Sequence, residues 1–291
     1  MVSNLSGKVV LITGGGNGVG AETALQVVKR GARVILTDID RNALDETVDQ
    51  LGAEHALGIV ADVTDLPAME AAVAQGVERF GGLDVVVANA GIASYGSVLH
   101  VEPEAFHRLI DVNVNGVFHT VRAALPAIID RRGYVLVVSS MAAFVTAPSL
   151  AAYCTSKSGV ESFAGALRQE VAHLGVDVGS AHMSWIDTPM VRDAQSDLPA
   201  FREMLEHLPG PLSHVTTIDK CGVAFAKGIE QRKRRVYCPE WVGVLRFAKP
   251  FLDTGLAALL TGKQMAETIV AVDQQVARLG RSVSSRFDDS R

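Results

Sequence analysis

The first forty residues restrict the fold more than any other stretch. Lys8 to Thr13 is a short, β-branched, nearly continuous apolar run, the pattern of a strand buried on both faces. It enters Gly14-Gly15-Gly16-Asn17-Gly18-Val19-Gly20, then a helical pattern from Ala21 to Arg30. A second apolar run, Arg33 to Thr37, ends in Asp38. Strand, glycine turn, helix, strand and acid make the layout of a mononucleotide-binding βαβ unit. Glycines let the backbone approach a pyrophosphate, and the free N–H groups at the helix start face its oxygens. Asp38, eighteen residues beyond Gly20, is placed to accept hydrogen bonds from ribose hydroxyls. A carboxylate there repels a 2′-phosphate, and neither position 17 nor position 39 carries a cation to neutralise one. The expectation is NAD in preference to NADP.

The alternation continues along the chain. Leu57 to Val60 reads as a strand leading into Ala61-Asp62-Val63, and Asp65 with Pro67 signals the start of a helix running to Phe80. Asp84 to Ala88 is another buried strand, ending in Asn89-Ala90-Gly91. Asp62 and Asn89 thus fall at the carboxyl ends of strands, the edge where open parallel sheets bind ligands. Asp62 also fits the simpler role of a turn residue bonded to its own backbone. Pro103 to Asp130 reads as a long helix bent near Pro126. Within it, Asp111-Val112-Asn113-Val114-Asn115-Gly116 places two asparagines and a glycine at a cost of about 0.5–1 kcal/mol each, which predicts a local distortion.

Tyr134 to Ser139 is the fifth strand, with Ser140 at its carboxyl end. A helix to about His173 then carries Tyr153 and Lys157, four apart and so on one face. A cation beside a phenol favours the phenolate. Free tyrosine titrates near pH ~10, too high for a base at neutrality, and lowering it by about three units takes roughly 4 kcal/mol. A positively charged nicotinamide nearby adds to what one lysine supplies. Val176 to Ala181 is a sixth strand. Residues 183–217 form a loose excursion with apolar Leu198, Phe201, Leu205 and Leu208, the pattern of a lid over a substrate. Arg235 to Cys238 is the last strand.

The remaining tail, 239–291, keeps helical apolar spacing at Trp241, Val244, Leu245, Ala248 and Leu252, with a further apolar cluster from Leu256 to Leu260. It reads as an extension packed on the same domain or a neighbouring subunit, with a substrate-pocket wall and a monotopic membrane contact as alternatives. Its polar last dozen residues read as frayed.

Composition closes off several classes. A formal net charge of −5 argues against nucleic acid; the basic run Arg232 to Arg235 reads as a solvated turn. Three cysteines without CxxC spacing argue against disulfides and zinc, and no metal site is expected. The start of the chain lacks a signal layout, and no run nears the ~20 apolar residues that cross a bilayer. The expectation is a cytoplasmic protein.

Thr13-Gly14-x-x-x-Gly18-x-Gly20, Asn89-Ala90-Gly91, Asn113, Ser140 and Tyr153-x-x-x-Lys157, in this order and spacing, resemble the classical short-chain dehydrogenase/reductase family across Leu5 to Cys238. The resemblance implies a single Rossmann-type doubly wound parallel sheet of about seven strands flanked by helices. Residues 1–238 would form the catalytic domain, with a lid around 189–216 and a C-terminal helical extension. It implies Tyr153 as general acid/base, Lys157 lowering its pKa and holding the nicotinamide ribose, Ser140 orienting the substrate oxygen, and Asn113 holding a relay water. Asp38 would bind the adenosine ribose, and Asp62 and Val63 the adenine. Gly14, Asn17, Gly18, Val19, Gly20, Asn89, Ala90, Gly91, Ile186 and Thr188 would complete the cofactor site. The family's Pro-Gly after the sixth strand is Met183-Ser184 here, a departure in the loop beneath the nicotinamide. The implied activity is NAD-dependent interconversion of a secondary alcohol and a ketone, on an apolar substrate given the aliphatic lid. An NADP-dependent carbonyl or ketoacyl reductase and a non-catalytic nucleotide sensor or scaffold are the alternatives. A homodimer or homotetramer is the implied assembly.

Overall fold

Seven strands, β1 Val9–Thr13, β2 Arg33–Asp38, β3 Ala56–Val60, β4 Val85–Ala88, β5 Tyr134–Val138, β6 Asp177–Met183 and β7 Arg235–Cys238, form one sheet. Its order is β3-β2-β1-β4-β5-β6-β7, and every pair is parallel. The computed structural model describes residues 5–252 and 255–284, with side chains of 248–265 excepted.

The apolar runs are continuous because helices cover both faces. Val10, Ile12, Val34, Leu36, Val87 and Leu136 face one layer, built by α1 Gly18–Val28, α2 Arg41–Leu51 and, late in the chain, a helix at Ile218–Glu230. Val9, Leu11, Ile35, Val86, Val135 and Val137 face the other. That layer holds α3 Leu66–Phe80, α5 Gly116–Asp130 and α6 Ala151–Val171, and α4 Pro103–Ile110 packs against α6. Alternate residues of each strand thus enter opposite cores, the period-2 rule applied to a sheet buried on both sides.

Local signals explain the element ends. The Asp65 carboxylate accepts from the Ala68 amide at 3.1 Å and caps α3, with Pro67 in its first turn. Asp40 caps α2 in the same way, on Ala43; the strand–helix alternation passed over this helix. α1 begins at Gly18 rather than Ala21, so its first amides belong to the glycine turn itself. The expected distortion in the long helix is a π-helical segment, Asp111–Asn115, separating α4 from α5. Gly116 follows it because a Cβ there would lie 2.6 Å from Val63 Cγ2.

The stretch after β6 is more ordered than the loose excursion expected. Met183 still pairs with Cys238 in the sheet, and α7 Pro189–Asp197 and α8 Pro199–Glu206 follow. Each helix opens on a proline, pre-set for a first helical turn, and the Thr188 hydroxyl accepts from the Val191 amide at 3.4 Å. The Ile218–Glu230 helix is α9. α10 Val242–Leu252 and α11 Gly255–Leu279 end the fold, and Val272 and Val276 of α11 are buried among Phe201 and Leu205 of α8. The spacing at Ala248 and Leu252 and the Leu256 to Leu260 cluster lie outside the described side chains.

Fraying does not hold for residues 281–284. Tyr95 N donates to Ser282 O at 2.8 Å, Ser94 bridges Val283, and Arg281 Nη2 meets Asp197 Oδ2 at 2.6 Å. Residues 285–291 lie outside the described ones. Among the described residues no helix is long and apolar enough to cross a membrane, and no cluster of candidate metal ligands occurs.

Candidate active site

The strand order reverses between β1 and β4, and the crevice outside their carboxyl ends is where such sheets take ligands. A cavity of about 1040 Å³ opens there. Its floor at one end is the glycine turn. Gly14 and Gly18 have φ of +64° and +58°, values that exclude most side chains. A Cβ at Gly20 would sit 2.0 Å from Gly14 O, so this glycine lies beneath the turn and does not line the cavity. Gly14, Asn17, Gly18 and Val19 do.

Asp38 closes this end. Its Oδ2 accepts from Gly16 N at 2.9 Å and its Oδ1 from Asp40 N at 3.1 Å, so the carboxylate is anchored to the turn it faces. Asp62 and Val63 line the adjoining wall, and Asp62 Oδ1 accepts from Thr64 N at 2.8 Å. The turn role and the lining role coexist in Asp62. Asn89 Nδ2 donates to Thr13 O at 2.8 Å, and Thr13 Oγ1 accepts from the amides of Asn89 and Ala90 at 3.1 Å each. The Asn89-Ala90-Gly91 loop is thereby locked to the first turn. Ile186 and Thr188 line the cavity from the far side. A carboxylate pinned to a glycine turn at one end of the cavity fits the adenosine side of a dinucleotide laid across the sheet edge.

At the far end Ser140, Tyr153 and Lys157 converge on the same cavity. Ser140, buried at the end of β5, stands beside Tyr153, and its hydroxyl favours the phenolate. Lys157 Nζ donates to Val138 O at 3.2 Å and lies 5.6 Å from the Tyr153 ring centroid. The electrostatics differ from the sequence expectation. Burial pushes Tyr153 up to about 12, opposed by the Ser140 hydroxyl, and burial pushes Lys157 down to about 8. Desolvation of the phenol outweighs the lysine's pull on it.

Asn113 is wholly buried behind the cavity, and its amide group bonds to protein. Oδ1 accepts from Ile92 N at 2.8 Å, while Nδ2 donates to Ile92 O at 2.9 Å and to Ser156 Oγ at 3.1 Å. Its side chain holds the chain after Gly91 in place, while Oδ1 keeps a second lone pair. The π-helical segment is what turns this side chain toward Ile92.

The substrate end is apolar and differs in detail from the expected lid. Leu198, Phe201 and Leu205 are buried beneath the surface, where Phe201 packs edge-on against Tyr95 and Trp185 at 5.3 and 5.5 Å. Met204, Leu208 and Leu212 face the cavity instead, opposite Val145 and Leu150, with Tyr95, Trp185 and Val283 completing the wall. These last three were not foreseen. Trp185, directly after the departing Met183-Ser184, was the one with a readable position.

Comparison with known proteins agrees with this geometry. The short chain dehydrogenase family profile matches residues 8–199. A "Probable oxidoreductase EphD" of Mycobacterium tuberculosis is 32% identical over 235 residues, 77% of this chain, and the chain spans only 40% of that protein's length. A (-)-trans-carveol dehydrogenase of Rhodococcus erythropolis is 34% identical over 210 residues, covering 66% of this chain and 76% of that protein. The crystal structure of a short chain dehydrogenase from Mycobacterium paratuberculosis bound to NAD superposes with a TM-score of 0.71 at 28% identity, over 81% of this chain and 97% of that one. This chain belongs to the short chain dehydrogenase family.

Proposed function

We propose that this protein is an NAD-dependent oxidoreductase that interconverts a secondary alcohol and a ketone on a hydrophobic substrate. The observation that carries the reading is the convergence of Ser140, Tyr153 and Lys157 at the apolar end of a cavity whose other end is a glycine turn and a pinned carboxylate. Asp38 would take the adenosine ribose, with Asp62 and Val63 against the adenine. Asn17 and Ile39 bring no cation to offset a 2′-phosphate, which favours NAD over NADP. The NAD-bound relative and the dehydrogenase named for carveol support the cofactor and the alcohol class.

When bound, NAD supplies the acceptor for the hydride that leaves the carbinol carbon. In the oxidative direction Tyr153, as phenolate, takes the hydroxyl proton. Ser140 orients the same oxygen through its hydroxyl. Lys157 sets a positive charge beside the phenol and lies within reach of a ribose at Gly91, where a Cβ would come 3.4 Å from its Nζ. Asn113 keeps the Gly91–Ile92 backbone where this requires it. Reduction runs the same groups backwards, with Tyr153 returning a proton to the carbonyl oxygen. Positioned proton transfer of this kind contributes roughly 10²–10⁴ in rate.

Residues 1–238 would form the catalytic unit, 189–216 its cover and 239–291 an extension against it. Exposed Phe118 on α5 supports a homo-oligomer assembled through the long helices. Buried, unpaired Cys154, Cys221 and Cys238 support a reducing, cytoplasmic location. Titrating NAD and NADP against the fluorescence of Trp185, then screening apolar secondary alcohols for reduced-nicotinamide absorbance, tests the proposal. Tighter NAD binding with turnover supports it; binding with no turnover on any alcohol, or a preference for NADP, overturns it.

A further inference from the structure

Behind Ser140 lies a buried polar cluster that the reaction as described does not use. His182 sits near the end of β6 and is fully enclosed. Its ring stacks 4.4 Å from Phe144, tilted 31°, and 5.7 Å from Tyr237, tilted 33°, which fixes its plane. Nδ1 lies 3.2 Å from the main-chain carbonyl oxygen of Ser140. Nε2 lies 3.0 Å from Ser180 Oγ and 3.0 Å from Glu161 Oε2. The other Glu161 oxygen accepts from Arg235 Nη2 at 2.9 Å. Glu161 is one helical turn beyond Lys157 on α6, so the cluster ties the end of β5 to the helix that carries Tyr153 and Lys157.

The hydrogens follow from the partners. A carbonyl oxygen only accepts, so Nδ1 carries a proton and donates it to Ser140 O. That same oxygen accepts from Ala143 N at 3.1 Å, and the Ser140 hydroxyl oxygen accepts from Ala142 N at 3.1 Å. With carbonyl and hydroxyl oxygen both held, the remaining Ser140 O–H is left to aim at Tyr153. A buried histidine in an otherwise apolar strand is costly unless its ring nitrogens are satisfied. Here both are, Nε2 by Ser180 Oγ and Nδ1 by the serine of the site, while Glu161 Oε2 stands in ion-pair reach without a hydrogen bond.

We propose that His182, held in turn by Ser180 and the adjoining Glu161–Arg235 ion pair, is a positioning residue that fixes Ser140 for reaction with the substrate oxygen. The inference rests on the reading of Ser140 and Tyr153 as the reacting pair. Its consequence is that the His182 ring nitrogens have separable roles. His182→Asn keeps a donor where Nδ1 stands and loses the Glu161 contact. His182→Gln reaches toward Glu161 and loses the Ser140 contact.

The experiment measures kcat and KM for the best secondary alcohol of a panel, at saturating NAD, for the wild type, His182→Gln, His182→Asn and each change in a Ser140→Ala background. A displacement near 1 Å at a reacting group costs up to about a hundredfold. His182→Gln is therefore expected to lower kcat roughly ten- to a hundredfold, with the KM for alcohol and the NAD dissociation constant within about threefold. His182→Asn recovers most of that loss, and in the Ser140→Ala background His182→Gln changes kcat by less than about twofold, since residues acting through one group are not additive. Crystal structures of the two variants give a reading independent of turnover: the Ser140 hydroxyl is displaced relative to Tyr153 in His182→Gln and stays in place in His182→Asn. Equal losses in both variants, an undiminished effect without the serine hydroxyl, or an unmoved Ser140 in both crystals overturns the inference. A wild type inactive on the whole panel would count against the proposed function, and the crystals alone would then decide the role of His182. His182→Leu, apolar in an apolar strand, carries the same test should the glutamine variant fail to fold.

Discussion

Replacing Lys157 by methionine separates the charge of this residue from its volume. Nζ stands 5.6 Å from the Tyr153 ring centroid. At an effective dielectric of about 20, two unit charges at that separation interact by roughly 3 kcal/mol, or about two pH units at 1.36 kcal/mol each. The cation favours the phenolate, so its removal raises the pH at which Tyr153 becomes a base. The rising limb of kcat/KM for alcohol oxidation should move up by about two pH units, measured at saturating NAD. Stability should move the other way. Burial holds Lys157 at about 8, below its ordinary value of 10.5, so the ammonium disfavours the folded state below pH 8 and that penalty fades as pH rises from about 8 to 10.5. The methionine removes the penalty at pH 7 and loses the hydrogen bond to Val138, worth about 1 kcal/mol. A net gain of roughly 2 kcal/mol corresponds to a rise of a few degrees in Tm. An unmoved limb, or a lower Tm by differential scanning calorimetry, would refute the electrostatic reasoning.

Three further outcomes are expected. Gly20→Ala puts a methyl 2.0 Å from Gly14 O, so the turn reopens; calorimetric titration should show NAD affinity down by at least about a hundredfold, with stability lower by about 2–4 kcal/mol. Asp38→Asn combined with Ile39→Arg removes the charge facing the ribose and adds a fork for phosphate, and should shift the NAD/NADP ratio of kcat/KM toward NADP by at least about tenfold. Burial works to raise the Glu161 carboxyl, but the neighbouring His182, Ser180 and Arg235 hold it at about 2 against an ordinary 4.5. That depression stabilises the fold above pH 4.5 and is lost as pH falls towards 2, so Glu161→Gln should flatten the acid limb of a Tm-against-pH curve in that window.

The parts of the fold that local chemistry dictates were legible. Continuous apolar runs marked strands covered on both faces, and Asp65 with Pro67 marked a helix start. The unfavourable Asn113, Asn115 and Gly116 marked a distortion that is the π-helical segment at Asp111–Asn115. Distances across the fold were not legible. The spacing of Tyr153 and Lys157 puts them on one face but carries no desolvation, and burial is what sets their titration in this structure. Helical periodicity at 198–208 identified apolar residues without separating those that pack below, such as Phe201, from those that face the cavity, such as Leu208. Arg281 finds Asp197 across 84 positions of chain, so residues 281–284, polar and frayed to a local reading, are tied down by distant partners. His182 had a signal of its own, a histidine inside the apolar run Val176 to Ala181 extended to Met183, but its partners Glu161 and Ser140 come from other elements.

The most direct test of the central claim compares the wild type with Tyr153→Phe, which deletes one oxygen from the cavity wall and leaves the glycine turn and Asp38 untouched. Both proteins should bind NAD with dissociation constants within about threefold, while turnover of the best apolar secondary alcohol falls by about 10²–10⁴ in the variant. Equal turnover in the two proteins would contradict Tyr153 as the proton-transferring group, and with it the reading of the site.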